Sequence, residues 1–551
     1  MIGKRCLTQL YQCYLKKHSL LKDTSNVSLS FDTIRYSSSP MELDRKYELG
    51  NFANDLKPFL KTRKKRKNSF DSKKKNYGEP IIICKKHELN HYCNYTYDKF
   101  EIIPLASENW KGHKSVGDSF TINIHSNVNN EVEERCKKRF EEMNIDSQIL
   151  DILKENKIEF MSEIQEKAIP IVLSGRNSLL AAETGCGKTL AYVLPILEQV
   201  LKLKKMTENE CNSPFVLILT PSRELTTQIR DVIRLFKPMN ITSQQILGGH
   251  VRQKLGNPFV TQVDILVSTI GIINKLIHLG LYSLKNLRHV VLDEADALLD
   301  DSFNHITTQL LRQFQIRSAP SKISDEGVQL TLVSATMPTS LPDILGEVVN
   351  VDSIEKVCTG NLHRVLPNVS QKFLRITRST KPAYLLQIVK KEYKKKQPII
   401  VFCNKSETCD WVSVFLSENN VKNIKLNGNM KLSERQKKFE EFQNGEVDVL
   451  ISTSICARGL DTRRVKHVVN YEFPSFISDY IHRCGRTGRL GSDFPGKVTN
   501  LISGKNEISL VQKIEKSVRN ASELENVNPN IARILAFKNA SEFEKKTGII
   551  E

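Results

Sequence analysis

The sequence predicts an α/β chain: two tandem domains with parallel sheets, preceded by a basic, largely irregular N-terminal extension. Three observations carry this reading. From Phe140 to about residue 515, short apolar runs alternate with amphipathic stretches, the pattern of strands joined by covering helices. A polar break between Asp352 and Pro367 divides that alternation into two units, and is expected to be an inter-domain linker. Ahead of both units lie a dense run of lysines from Lys57 to Lys75 and a stretch from Tyr95 to His125 without firm periodicity.

The 551 residues leave room for more than one sizeable core. A formal net charge of +19 favours a polyanionic partner such as nucleic acid. The twelve cysteines are scattered, several within apolar runs, which fits a reduced interior better than a disulfide framework. No stretch approaches the roughly 20 apolar residues of a membrane span.

In chain order, residues 1–22 contain Lys4, Arg5, Lys16, Lys17 and Lys22 but no acid, with leucines and tyrosines near helical spacing. A serine-rich stretch follows, ending Ile34-Arg-Tyr-Ser-Ser-Ser39. This start resembles a mitochondrial transit peptide over residues 1–36; a plain tail is the alternative. Residues 37–130 form the extension. Its run from Lys57 to Lys75 suits RNA phosphate or a nuclear import receptor. Cys84, His87, His91 and Cys93 are four potential zinc ligands, but their spacing is tighter than finger spacings, and an irregular segment is the expectation.

The first domain is expected over 131–352. Its strands include Val216–Leu219, Asp264–Val267, His289–Leu292 and Leu330–Val333. The linker spans 353–366. The second domain, 367–520, has strands at Pro398–Phe402, Asp448–Ile451 and His467–Asn470, and 521–551 is a tail.

Chemistry concentrates at Ala182-Glu-Thr-Gly-Cys-Gly-Lys-Thr189, which an apolar strand enters and a helical pattern leaves. Gly185 and Gly187 let successive N–H groups curl around one anion, and the helix adds its positive dipole end. Lys188 would reach the β- and γ-phosphates, and the Thr189 hydroxyl would ligate Mg²⁺. A second strand ends in acids, Asp293-Glu-Ala-Asp296, at the edge where open α/β sheets bind ligands. Asp293 suits Mg²⁺ and Glu294 suits orientation of the attacking water.

These motifs resemble the DEAD-box RNA helicases, over about Phe140 to Leu510. Pro221-Ser-Arg-Glu-Leu225, Gly248-Gly249, Ser334-Ala-Thr336, Val401-Phe402, Ala457-Arg-Gly-Leu-Asp461 and His482-Arg-Cys-Gly-Arg-Thr-Gly-Arg489 follow in the family's order. The resemblance implies two RecA-like domains, with ATP and Mg²⁺ as cofactors. Phe140 would stack on adenine, Gln165 would read its edge beside Ser162, and Asp461 would contact the ribose. Arg486 and Arg489 look like arginine fingers completing the site from the second domain. RNA contacts are implied at Pro221, Arg223, Gly249, Thr269 and Gly271, and at Arg435, Thr453 and Gly459. Ser334, Thr336, Asp296 and His482 would couple hydrolysis to strand separation. Backbone contact explains weak sequence preference, and the 2′-OH explains RNA over DNA.

The chain departs from the pattern at three places. The family's Thr-Pro-Gly-Arg reads Thr269-Ile-Gly-Ile272, Leu432 replaces a glutamine, and Met161 and Glu163 replace prolines. These bear on RNA grip and leave the phosphate chemistry untouched; residues 37–80 are expected to supply the lost grip.

The expected activity is therefore an RNA-stimulated ATPase with local, non-processive duplex unwinding. Its resemblance is to mitochondrial members acting on rRNA in large-ribosomal-subunit assembly. An ATP-gated RNA clamp that unwinds weakly, and a nuclear or nucleolar helicase, are the alternatives. A monomer without a membrane span or DNA partner is expected.

Overall fold

The computed structural model describes residues 79–531 except 94, 98–100, 125–137, 208, 249–260, 324, 338–340, 347, 455–461, 490–494, 526 and 529–530. Residues 1–78, which hold the transit-like start and the lysine run, lie outside the described residues.

Lobe 1 is a seven-stranded parallel sheet in the order β10-β4-β9-β8-β5-β7-β6. Its strands are β4 (Ser178–Ala181), β5 (Val216–Thr220), β6 (Ser243–Ile246), β7 (Ile265–Thr269), β8 (His289–Asp293), β9 (Gln329–Ser334) and β10 (Glu355–Cys358). Every residue of β4, β5, β8 and β9 is buried. That is why these strands read as unbroken apolar runs: helices cover both faces of the sheet. One face packs against α1 (Ser147–Glu155), α2 (Glu163–Leu173), α3 (Lys188–Met206) and α4 (Arg223–Arg234). The other packs against α5 (Ile270–His278), α6 (Ala295–Leu298), α7 (Asn304–Leu311) and α8 (Leu341–Leu345).

Residues 353–366 do not connect the lobes throughout. β10 runs parallel to β4, with Glu355 opposite Ser178 and Cys358 opposite Ala181, so the first part of the expected linker closes the lobe 1 sheet. An edge strand exposes one side of its ladder and tolerates charge, and Glu355 and Lys356 made it look like loop.

Lobe 2 uses β11 (Val369–Arg375), β12 (Ile399–Cys403), β13 (Ile424–Leu426), β14 (Val449–Thr453), β15 (His467–Asn470) and β16 (Gly496–Ile502). Its helices are α9 (Lys381–Lys394), α10 (Ser406–Glu418), α11 (Leu432–Gln443), α12 (Ile477–Cys484) and α13 (Lys505–Arg519). These six strands are mutually parallel, but the sheet has nine, in the order β13-β14-β12-β15-β16-β11-β3-β1-β2. The last three are β1 (Pro80–Cys84), β2 (His91–Tyr92) and β3 (Ser119–Ile122), from the N-terminal extension. β3 pairs antiparallel with β11, Phe120 opposite Phe373.

Among the described residues of the extension, those from 80 to 122 thus contribute three strands. They are part of lobe 2, although in sequence they precede lobe 1. Ile82, Cys84, Trp110, Phe120 and Ile122 belong to the lobe 2 core. The Glu515 carboxylate of α13 accepts from Ala106 N (2.7 Å), Ser107 N (3.0 Å) and Ser107 Oγ (2.6 Å), and pairs with Arg519 at 2.8 Å. The segment escaped sequence reading because its short strands are separated by turns and its anchor is a buried ion pair. The candidate zinc ligands diverge. Cys84 is buried with its Sγ on Leu89 O, His91 stacks on Tyr97, and His87 and Cys93 are exposed. Among the described residues no group of three or more His, Cys, Asp or Glu could hold a metal, and no helix is long and apolar enough to cross a membrane.

Candidate functional site

β4 delivers the chain to the turn 182–187, and α3 leaves it at Lys188. Gly185 and Gly187 take φ of +86° and +92°, the left-handed region where glycine is favoured. Space is also short there. A Cβ on Gly187 would stand 2.6 Å from Gln165 Nε2, and one on Gly185 would stand 2.8 Å from Arg489 Cγ. Lys188 Nζ donates to Ala182 O (2.6 Å) and Glu183 O (2.9 Å). Gln165 fixes the loop from outside: its Oε1 accepts from Ser162 N (2.8 Å) and its Nε2 donates to Gly187 O (3.1 Å). Cys186 is buried, and burial pushes its thiol up to about 11, so it is a packing residue and not a nucleophile. Thr184 Oγ1 is buried without a protein partner, and a Cβ on Gly485 of lobe 2 would overlap it. Phe140 is buried in the lobe 1 core among the residues around α2 and α3.

β8 ends at Asp293, and Glu294 follows with φ of +51°, turning the chain sharply into α6. Asp293 is buried; desolvation, then the neighbouring Glu294 charge, push its carboxyl up to about 6. Tyr192 donates its hydroxyl to Asp293 Oδ2 at 2.9 Å. Tyr192 was missed in the sequence. It lies one helical turn beyond Lys188, so the i,i+4 spacing was the available signal.

The two lobes meet across this pocket. Asp296 Oδ2 accepts from Thr336 Oγ1 of the same lobe (3.0 Å) and is 2.9 Å from His482 Nε2 of lobe 2. Arg486 Nη2 lies 4.0 Å from Glu294 Oε1. Arg489 stacks its stem against Gly185 and donates Nε to Gly485 O. Arg483, between His482 and Arg486, is a strut: its guanidinium binds Asn404 Oδ1 (2.6 Å), Glu472 O (2.8 Å) and Ser454 Oγ (2.8 Å). Ser334 Oγ accepts from Thr336 N at 3.1 Å, which shapes the turn after β9.

A second meeting lies to one side. Ser222 caps α4 by accepting from Leu225 N, which sets Arg223 on the helix's first turn beside Pro221. Arg435 of α11 reaches Glu224 Oε1 at 3.5 Å, and its charge, after burial, lowers the Arg223 pKa. Two arginines from opposite lobes therefore face each other. Thr269 ends β7 immediately before α5 and makes no side-chain bond to the helix's first turn, Gly271 has open space where a Cβ would be, and Thr453 ends β14. Gly249, Gly459 and Asp461 lie outside the described residues. The strands of the extension sit at the far edge of the lobe 2 sheet from Thr453. Six inter-strand steps separate β14 from β1, or about 29 Å at the usual spacing.

A phosphate loop, an acidic strand end and arginines delivered from a second parallel-sheet lobe define an ATPase whose site is completed between two domains. The DEAD/DEAH box helicase family model matches residues 162–344, and the helicase conserved C-terminal domain matches 380–491. "Probable ATP-dependent RNA helicase DDX28" of Homo sapiens is 34% identical over 475 residues, covering 82% of this chain and 88% of the relative. Its Mus musculus counterpart is 35% identical over 464 residues, covering 81% and 85%. Among solved structures, an S. cerevisiae Dbp5 variant bound to RNA and ADP BeF3 matches with a TM-score of 0.59 and 26% identity, over 74% of this chain and 99% of that one. The DEAD-box helicase Mss116, at 21% identity and a TM-score of 0.60, shares the fold over 70% of this chain and 78% of that one. The chain belongs to the DEAD-box family of ATP-dependent RNA helicases.

Proposed function

We propose that the chain is an RNA-stimulated ATPase that separates short duplexes locally, and that it acts on mitochondrial rRNA during large-subunit assembly. The observation that carries the coupling is Asp296. One carboxylate oxygen serves Thr336 on its own lobe and His482 on the other, so the acidic motif is read by both lobes at once.

In this reading Lys188 exchanges the carbonyls of Ala182 and Glu183 for the β- and γ-phosphates, and Gln165 holds the loop while reading adenine beside Phe140. Glu294 orients the attacking water. Arg486 and Arg489 stabilise charge on the transferring phosphoryl group only when lobe 2 is seated, so hydrolysis is gated by closure. The site fits a divalent cation: a buried Asp293 carboxyl raised by its own surroundings would be relieved by one. Thr189 and Asp293 would hold Mg²⁺, which neutralises phosphate charge. RNA lies along Pro221, Arg223, Thr269 and Gly271 of lobe 1 and Arg435 and Thr453 of lobe 2, held by its backbone.

The decisive measurement is ATP turnover with and without RNA, alongside strand release from a short duplex. RNA-stimulated turnover with release supports the helicase reading; slow turnover with long-lived RNA binding would favour the clamp. The acid-free, basic start supports the mitochondrial assignment. A reporter fused to residues 1–45 should enter mitochondria, and a diffuse or nuclear reporter would refute that assignment.

A further inference from the structure

The connection between the lobes carries a side chain that the mechanism above does not use. After β10 the chain is pinned to lobe 1. Lys167 Nζ donates to Cys358 O (3.0 Å), Thr359 Oγ1 donates to the Glu183 carboxylate, and Gly360 N donates to Glu163 Oε1 (3.1 Å). His363 lies three residues further on, with φ of +61°, a left-handed backbone uncommon outside glycine but adopted by histidine more readily than by most residues. Its Nε2 accepts from Met337 N at 2.8 Å. Met337 directly follows Ser334-Ala-Thr336, whose threonine binds Asp296.

The same residue faces lobe 2 through its backbone. His363 O accepts from Leu524 N at 2.8 Å, just beyond α13. Leu524 and Val527 pack in the lobe 2 core, whereas Ile531 packs in the lobe 1 core, so this C-terminal segment crosses between the lobes beside the linker. Hydrogen bonds, joined by the Thr336–Met337 peptide bond and by His363 itself, therefore trace a path from His482 through Asp296 and Thr336 to Met337, His363 and Leu524. Both of its ends are in lobe 2, and its middle is the turn after β9.

We infer that His363 is a positioning residue that fixes the Ser334-Ala-Thr336 turn according to how lobe 2 and its C-terminal segment are seated, and so ties ATP turnover to strand separation. This rests on the coupling role proposed for that turn. Only an imidazole with an unprotonated Nε2 can accept from Met337 N–H. Burial favours that neutral form and lowers the His363 pKa, opposed by the nearby Glu523 and Asp296 charges. The hydrogen bonds described for His363 go to Met337 and Leu524, neither of which belongs to the phosphate loop.

The test uses the full chain and two variants suited to the left-handed backbone. His363→Gly removes the imidazole while relaxing the φ; His363→Asn keeps a side-chain acceptor and tolerates that φ. RNA-stimulated ATP turnover and strand release are measured on the same preparations. With one coupling hydrogen bond removed, His363→Gly should release about three- to tenfold fewer strands per ATP, with turnover at saturating RNA nearly unchanged. His363→Asn should recover part of that ratio. A parallel fall of turnover and release, or an unchanged ratio in His363→Gly, would overturn the inference. Wild-type protein without RNA-stimulated turnover would instead overturn the functional reading beneath it.

Discussion

Replacing Trp110 by alanine tests the reassignment of the extension to lobe 2. Trp110 is 0% exposed and lies 5.6 Å from the Phe120 ring, which stacks on Phe373 of β11 at 4.7 Å. Phe373 in turn contacts Phe473 and Tyr480, the latter on α12, the helix that bears His482 and Arg483. The indole is therefore the outer end of an aromatic row reaching the middle of lobe 2. Truncating a buried tryptophan costs about 3–5 kcal/mol through lost transfer energy and the cavity left behind. Its Nε1 has no protein acceptor, so Trp110→Phe should cost less than about 1.5 kcal/mol, removing a buried donor along with some volume. The chain has two tryptophans, Trp110 and Trp411, and both belong to lobe 2. In Trp110→Ala, fluorescence of Trp411 on α10 thus reports lobe 2 alone during urea unfolding. The lobe 2 transition should move to lower urea by an amount equivalent to that loss. An unmoved transition would mean that residues 79–122 do not belong to the lobe 2 core.

Three further outcomes are expected. Arg486→Ala should reduce RNA-stimulated turnover by roughly 10³-fold with ATP binding retained, as measured by steady-state phosphate release and nucleotide titration. Arg435→Ala should weaken RNA binding similarly across sequences and lower the salt slope by about one ion, read from affinities at several salt concentrations. Asp293 sets a pH dependence without nucleotide. Its folded pKa of about 6 exceeds the ordinary 3.8, so the folded state binds the extra proton, and stability falls as pH rises from about 4 to 6. The loss is about 3 kcal/mol at most, and Asp293→Asn should flatten that part of a melting-temperature profile.

Where the chain obeys one local rule, the sequence was readable. β4, β5, β8 and β9 are buried on both faces, so their apolar runs announced strands. The phosphate loop was legible for a similar reason, since its glycines satisfy a backbone requirement that no other residue meets cheaply. β10 and the extension were hidden because their stability comes from partners distant in sequence. β10 depends on β4, and Ser107 depends on Glu515, which lies more than four hundred positions further along the chain. Glu515 looks like a solvated helix residue, and only the arrival of two backbone amides, a hydroxyl and Arg519 makes its burial tolerable. The same physics bears on how the lobes are joined. Among the described residues, β3 lies in lobe 2 and α1 in lobe 1, so the chain passes between them once before lobe 1 is built, again after β10, and a third time between Val527 and Ile531. Three connections restrict lobe separation more than one does, because each added tether raises the effective concentration of one lobe at the other. The lobes therefore have less freedom left to lose when they close, because part of that loss is already met by the covalent path of the chain.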